Sequence, residues 1–530
     1  MKKHTSFVLL LALSCLQLLQ AHPSQGIVEL VLDRLYHNVG NYEVKMPQIR
    51  VTDSEEFAVA YHPKKNQILI EKKAIDVCRS FGKRSLDAMA LMIGHELSHS
   101  YQKKGRTSSF LGYGFSNKNK NLMAIEKMAD VQAAFGATLA DFQTVDIMEP
   151  LIDSIYKAYG LVYTQVPGYP SFAERKTKIK EAKILLEELL NTYHHANYLS
   201  ILGYHELAAA SYSYILSYYK GKAIYQKLGL FYAIDAMTFC GKNTDPYLFP
   251  FEPDRHTRFV TTRTEALSPL EAKNRDRLLK KAYDYFEETL RFDPRAVQAY
   301  LGLLGVRVQQ GEYKEVIRLK ESGKLNSRLR KMGSTQKEWA DVQMVVAIAY
   351  ALSGESLARH KATAKSILMD LIEVPDGSVQ DLAKNNLDIL AGKKTSLINR
   401  EKCTFGIPAI TSIDGVSIQK YFDAEPSIRL DLFDQKKLFW ETFDHFTLYL
   451  SRNINDSCIF QRVFSPELEA AMDINIGVAA RRAFKDAPED SYIIIPAGNR
   501  YFVHFPACRL IFLVNQYGRI GEWVRYAERK

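Results

Sequence analysis

His95 and His99 stand four residues apart, with Glu96 beside the first, in the run His95-Glu96-Leu97-Ser98-His99. On a helix, residues at this spacing share a face, so the two imidazoles can bind one metal ion together. Glu96 then reaches a water on that metal. This is the H-E-x-x-H pattern of metal-assisted peptide hydrolysis, with zinc as the ion and the glutamate as general base. Two helix histidines that merely hydrogen-bond are the plain alternative. The preceding run, Leu86 to Gly94, is apolar and reads as a buried helix. Ser85 is expected to cap that helix, with Asp87 favourable in its first turn.

A catalytic zinc takes three protein ligands and keeps one position open. Glu126-Lys127-Met128-Ala129-Asp130 lies on a second predicted helix that starts near Asn121. Glu126 suits the third ligand position. Asp130 lies one turn later on the same face and can accept the second N–H of a ligating histidine, fixing its tautomer. Ala133, Ala134 and Ala137 are small enough to let the two helices approach closely. Solvated carboxylates on one helix face are the alternative.

The elements that must position these groups come before and between them. Gln48 to Thr52, Phe57 to Tyr61 and Gln67 to Ile70 are β-like runs, and Pro63-Lys64-Lys65-Asn66 reads as a hairpin turn. Phe57 to Ile70 is the candidate edge on which an extended substrate would pair through its main chain, or a plain structural hairpin. Lys72 to Phe81 reads as helix, broken by Gly82-Lys83-Arg84. Gly105 to Asn121 is a loop carrying Phe110, Tyr113 and Phe115, either lining the site or mobile surface.

From about Pro47 to Arg175 the chain resembles the HtpX-like and CAAX-prenyl-endopeptidase-like family of zinc metallopeptidases, a branch of the gluzincins. The hairpin and helix before the metal helix, the two motifs above, and Tyr169-Pro170-Ser171-Phe172-Ala173-Glu174-Arg175 carry the resemblance. It implies a zincin-like domain binding one zinc ion through His95, His99 and Glu126, with Glu96 as base. It implies further that Asp130 supports a ligand and that Arg175 supports the site. The chain departs from the family in three ways. Tyr169 stands where the family's late element has a histidine, and its hydroxyl could donate to an oxyanion in that residue's place. The interval from His99 to Glu126 is short, and no membrane span is evident. The chain looks more like the exported soluble branch, in which tetratricopeptide repeats follow the peptidase domain.

The 530 residues are enough for several cores, and 47% are hydrophobic. The net charge of +10, from 70 basic and 60 acidic residues, is a mild bias over this length, and no nucleic-acid motif accompanies it. Lys2 and Lys3, the apolar run Phe7 to Leu19 and Ala21 make a signal peptide over residues 1–21. Retention as an anchor, or lipidation at Cys15, are alternatives. Without Cys15 the number of cysteines is odd; one bridge among Cys403, Cys458 and Cys508 is possible in an oxidising compartment. Gly203 to Leu216, Ala282 to Tyr313 and Val345 to Leu371 follow the grammar of stacked helical hairpins, interrupted by Cys240 to Pro269. Beyond Lys393, β-like runs such as Tyr501 to Pro506 and Arg509 to Val514, with a helix over Pro466 to Lys485, suggest an α+β domain with a small antiparallel sheet. His445 and His504 are isolated there.

The expectation is therefore a mostly α chain with α+β parts: a metallopeptidase domain over 22–185, helical repeats over 186–392 and an α+β domain over 393–530. Its expected activity is exported zinc-dependent endoproteolysis of protein substrates, recruited by the repeats, in the periplasm or else secreted or membrane-anchored. A protein-binding scaffold or chaperone-like binder with a latent or structural zinc site is the alternative.

Overall fold

Helix α1 (Pro23–Val39) buries Val28, Val31, Leu32 and Leu35, a stripe at helical spacing. The computed structural model describes residues 23–102, 108–110, 120–164, 171–239, 247–251, 267–353, 358–393, 412–413, 416–417, 428–431, 437–442, 446–451, 457–464, 474–488, 491–497 and 500–526. The chain is mostly helical, with a small sheet near its start and a strand-rich C-terminal part. It divides into two compact units. The first takes residues up to Phe239, Phe249–Phe251 and Leu267–Ala383; the second takes Cys240–Leu248, Glu252–Ala266 and Lys384–Lys530.

In the first unit β1 (Gln48–Thr52) runs parallel to β3 (Gln67–Glu71), and β2 (Val59–His62) pairs antiparallel with β3. Asn66 closes the β2–β3 turn at φ 46°, a left-handed conformation that asparagine tolerates. The outer side of β2 carries β4 (Ser108–Ser109), giving the order β1-β3-β2-β4. Helix α2 (Lys72–Arg79) and a 3-10 turn, Gly82–Arg84, lead into α3 (Ser85–Ser100). Ser85 does not cap α3. The 3-10 turn runs straight into the helix, so Ser85 already has helical dihedrals and Arg84 takes the cap position without a side-chain bond. Asp87 instead bonds Arg84 and the backbone N–H of Gln143.

Helix α3 is buried without interruption from Ala88 to His99, as a helix enclosed on all sides must be. Helix α4 (Lys120–Leu139) packs along it. A Cβ on Gly94 would lie 3.3 Å from the Ala133 side chain and 3.4 Å from its Cα, so small residues do set this close approach. Helix α5 (Met148–Ala158) precedes α6 (Phe172–Ile201), which opens on a capping box between Ser171 and Glu174. Helix α6 runs through residue 185, so the boundary expected there falls inside a single helix.

Helices α7 (His205–Leu216), α8 (Lys222–Thr238), α9 (Pro269–Phe292), α10 (Val297–Gln309), α11 (Tyr313–Glu321), α12 (Lys324–Met332), α13 (Gln336–Ser353), α14 (Ala358–Ile372) and α15 (Gly377–Leu390) follow. Neighbours pack pairwise: α6 on α7, α7 on α8, α8 on α9, α9 on α10 and α13 on α14. Phe286 plugs the α9–α10 contact so closely that a Cβ on Gly302 would come within 2.3 Å of its ring. Most of the interruption at Cys240 to Pro269 lies outside the described residues.

The second unit holds an eight-stranded antiparallel sheet in the order β11-β12-β13-β14-β10-β9-β8-β7, larger than the small sheet expected. After the short antiparallel pair β5 (Ser412–Ile413) and β6 (Val416–Ser417), its strands are β7 (Ile428–Asp431), β8 (Lys437–Thr442), β9 (Phe446–Ser451), β10 (Ser457–Val463), β11 (Ile493–Ala497), β12 (Arg500–Phe505), β13 (Leu510–Val514) and β14 (Ile520–Tyr526). Val503, Phe505, Leu510, Phe512 and Trp523 form its core. The helix expected over Pro466 to Lys485 is found, among the described residues, only at Ala480–Ala483. Gly477 at φ +87° turns the chain before it, among β-branched residues that prefer extended backbone. Cys508 is disulfide-bonded, whereas Cys78 is a buried free thiol. No helix of the described residues is long and apolar enough to cross a membrane. The signal segment lies outside the described residues.

Candidate metal centre

The last turns of α3 bring His95 and His99 against Glu126 of α4. His95 Nε2 lies 3.2 Å from His99 Nε2 and 3.1 Å from Glu126 Oε2. His99 Nε2 is 3.6 Å from Glu126 Oε1. Ligand atoms on a tetrahedral zinc, at bond lengths of about 2.0–2.2 Å, are separated by roughly 3.3–3.6 Å. Each histidine lies nearest a different oxygen of Glu126, and one ligand atom from each of the three side chains lies within 4.8 Å of the others, close enough to share one ion.

The outer hydrogen bonds decide which ring nitrogens face inward. His95 Nδ1 is 2.8 Å from Asp130 Oδ1, and His99 Nδ1 is 3.1 Å from the Gln102 side-chain oxygen. Both partners accept, so each Nδ1 carries the proton and each Nε2 presents a lone pair. Two lone pairs and a carboxylate thus converge in a buried place, an arrangement that a cation relieves. The residues fit a zinc ion on this chemistry. Without an ion the site attracts protons instead. Burial alone lowers the His95 pKa, but the Asp130 charge and hydrogen bond, then Glu126, outweigh it and raise it to about 10. Burial would raise the Glu126 pKa, yet the hydrogen bonds and charges of the two histidines hold it well below the usual carboxylate range.

Asp130 is fully buried and also takes both Nη atoms of Arg175, with Nη2 at 2.9 Å from Oδ1. Burial opposes the Asp130 charge, and Arg175 more than restores it, lowering the pKa. Arg175 sits one residue after the Ser171–Glu174 capping box, which fixes the start of α6 and aims the guanidinium inward. The structure thus brings together His95, Glu96, His99, Glu126, Asp130 and Arg175. Tyr169 lies outside the described residues.

Glu96 is fully buried and faces β2: its Oε2 accepts the Tyr61 backbone N–H at 3.0 Å. The position of β2 is itself set by Glu71. That buried carboxylate accepts the successive N–H groups of Glu56, Phe57 and Ala58 at 2.6, 3.1 and 3.0 Å, together with the Tyr159 hydroxyl at 2.5 Å. Consecutive N–H groups around one anion form a nest. It holds Ala58 at φ 59°, a left-handed conformation that a residue with a Cβ adopts only under constraint. Phe110 closes another wall, with its ring 5.3 Å from that of His95 and the Arg175 guanidinium 5.6 Å from its own centroid. Phe110 belongs to the loop expected either to line the site or to be mobile surface, and Tyr61 to the candidate edge; Gln102 and Glu71 were not among the expected site residues. A glutamine at i+3 from a ligand is the sequence signal for Gln102; the particular Tyr61 contribution is a backbone N–H, which no residue type signals.

Compared with models of known protein families, with curated proteins and with solved structures, the chain matches none.

Proposed function

We propose that the chain is an exported zinc-dependent metalloendopeptidase that hydrolyses peptide bonds of protein substrates. One observation carries this reading: the inward lone pairs of His95 and His99 meet the Glu126 carboxylate within 4.8 Å, beside a buried Glu96. A structural metal site has no need of a carboxylate held next to its ligands. A zinc ion held by His95, His99 and Glu126 would supply Lewis-acid polarisation and a water of lowered pKa. Glu96 takes the proton of the attacking water and returns it to the leaving amine. Asp130 keeps the proton on His95 Nδ1, and Arg175 keeps Asp130 ionised and oriented.

The finer fold reading belongs to the same proposal. The part over residues 22–185 is zincin-like, and the helices over 186–392 are tetratricopeptide-like repeats that recruit substrates or a partner protein. Short turns between paired helices and the aromatic plug at Phe286 support the second part. Export rests on the basic and apolar start of the chain, and the disulfide at Cys508 suits an oxidising compartment such as the periplasm. Envelope protein quality control is the role that fits a peptidase with recruiting repeats in that place.

Titration of chelator-stripped protein with zinc tests the reading. One ion per chain should bind, and cleavage of an unfolded protein should appear with it. Absence of binding, or cleavage that persists after complete removal of metal, contradicts it.

A further inference from the structure

We propose that Ser108–Phe110 occupies the outer edge of β2 in the manner of a substrate strand, so that the chain blocks its own peptide-binding edge until this segment leaves. The inference rests on the peptidase reading only for the fate of the polypeptide that replaces it.

The outer edge of β2 is where main-chain pairing and the candidate base meet. Tyr61 turns its N–H to Glu96 Oε2 at 3.0 Å. Two residues earlier, Val59 turns its carbonyl the same way, as alternation along a strand requires. That carbonyl accepts the Phe110 N–H at 2.9 Å. Between them Ala60 faces Ser109, and Tyr61 faces Ser108, in antiparallel register. An extended polypeptide bound beside Glu96 would use the same Val59 carbonyl.

Among the described residues the covering strand is Ser108–Ser109. Its anchor is Phe110, which is 1% exposed. The ring packs edge-on to His95, and the Arg175 guanidinium lies 5.6 Å from its centroid. The segment thus ends in an aromatic side chain lodged in the wall of the metal centre. A strand that displaces it gains the Val59 carbonyl and a pocket shaped for a large aromatic ring. The replacing ligand is therefore an extended segment of unfolded polypeptide carrying an aromatic residue, bound by strand addition.

The register supplies the test. Ala60 and Ser109 form a non-hydrogen-bonded antiparallel pair, whose Cα atoms stand about 4.5 Å apart, a separation that a disulfide spans. Full-length protein with Ala60→Cys and Ser109→Cys, oxidised and then reduced, is compared with wild type given the same reductant, because Cys508 is itself disulfide-bonded. Binding of a fluorescent Phe-containing peptide is read by anisotropy on a Glu96→Gln background, and its cleavage is read with Glu96 intact. The oxidised form should bind roughly ten-fold more weakly or worse, and reduction should restore binding. Phe110→Gly, which removes the anchor without a cross-link, should tighten binding several-fold. Equal binding by the oxidised and reduced forms overturns the inference, as does absence of binding by both. Binding that responds to the lock while no variant cleaves supports the inference and sinks the peptidase reading. Cleavage unaffected by the lock does the reverse.

Discussion

His95 Nδ1 lies 2.8 Å from Asp130 Oδ1, and the same carboxylate accepts both Nη atoms of Arg175, Nη2 on that same Oδ1 and Nη1 on Oδ2. This links the first expected metal ligand to the start of α6 through one buried carboxylate. The charge on Asp130 does two things at once: it orients an imidazole and it neutralises a buried guanidinium.

Asp130→Asn should therefore weaken zinc binding by about 10- to 100-fold, because the amide is a poorer acceptor for Nδ1–H. Arg175→Ala should cost roughly 3–5 kcal/mol of stability, since it strands a buried charge on Asp130. Zinc titration against a competing chelator reads the first effect, and denaturant unfolding of the metal-free protein reads the second. Wild-type zinc affinity in Asp130→Asn would contradict the assigned role.

The nest around Glu71 should dominate the stability of the β2 segment. Glu71→Ala leaves three backbone N–H groups and the Tyr159 hydroxyl without their acceptor. The expected loss exceeds that of Tyr159→Phe, which removes one hydrogen bond to a charged group and should lose roughly 1.5–3 kcal/mol. Equilibrium unfolding of the two variants checks the order. If Tyr159→Phe proves the costlier change, the nest is not what holds Ala58.

Lys227 supplies a pH dependence away from the metal. Its Nζ bonds Asn197 Oδ1 at 2.7 Å, lies over the Tyr212 ring, and is pushed down by burial to about 8 from an ordinary value of 10.5. The folded chain gives up this proton more readily than the unfolded chain. Between about pH 8 and 10.5 the unfolded state thus binds more protons, and the Lys227 contribution to stability rises with pH. Below pH 8 the cost of the buried charge is fully present. Lys227→Met should raise the melting temperature at pH 7 and flatten this rise; a lower melting temperature at pH 7 would show that the charge is compensated.

Much of the site was legible because its signals are periodic. His95 and His99, and likewise Glu126 and Asp130, share helix faces at i,i+4, and Arg175 follows a capping box. The remainder depends on backbone groups and long-range contacts, which leave no local pattern. Tyr61 acts through its N–H, and Glu71 looks in sequence like the polar end of a strand. At Ser85 cap preference cannot reveal that a 3-10 turn already continues into α3. In the second unit, the segment Pro466 to Lys485 contains helix formers such as Glu467, Leu468, Glu469, Ala470 and Ala471, but Gly477 and the partners of Ala479 and Ile520 bend its later part into turns and bridges. Strands β7 to β10 drew no expectation although β7–β8, β8–β9 and β9–β10 are local antiparallel pairs; what no local pattern shows is the join of β10 to β14, which makes one sheet of both halves.

The central claim is that Glu96 acts as a base beside a zinc ion. The most direct measurement compares wild type with Glu96→Gln, both loaded to one zinc per chain, in the cleavage of a reduced, unfolded protein. Glu96→Gln should keep its zinc and lose at least about 100-fold in rate, the scale of a general base. Equal cleavage by the two proteins at equal zinc content would contradict the account.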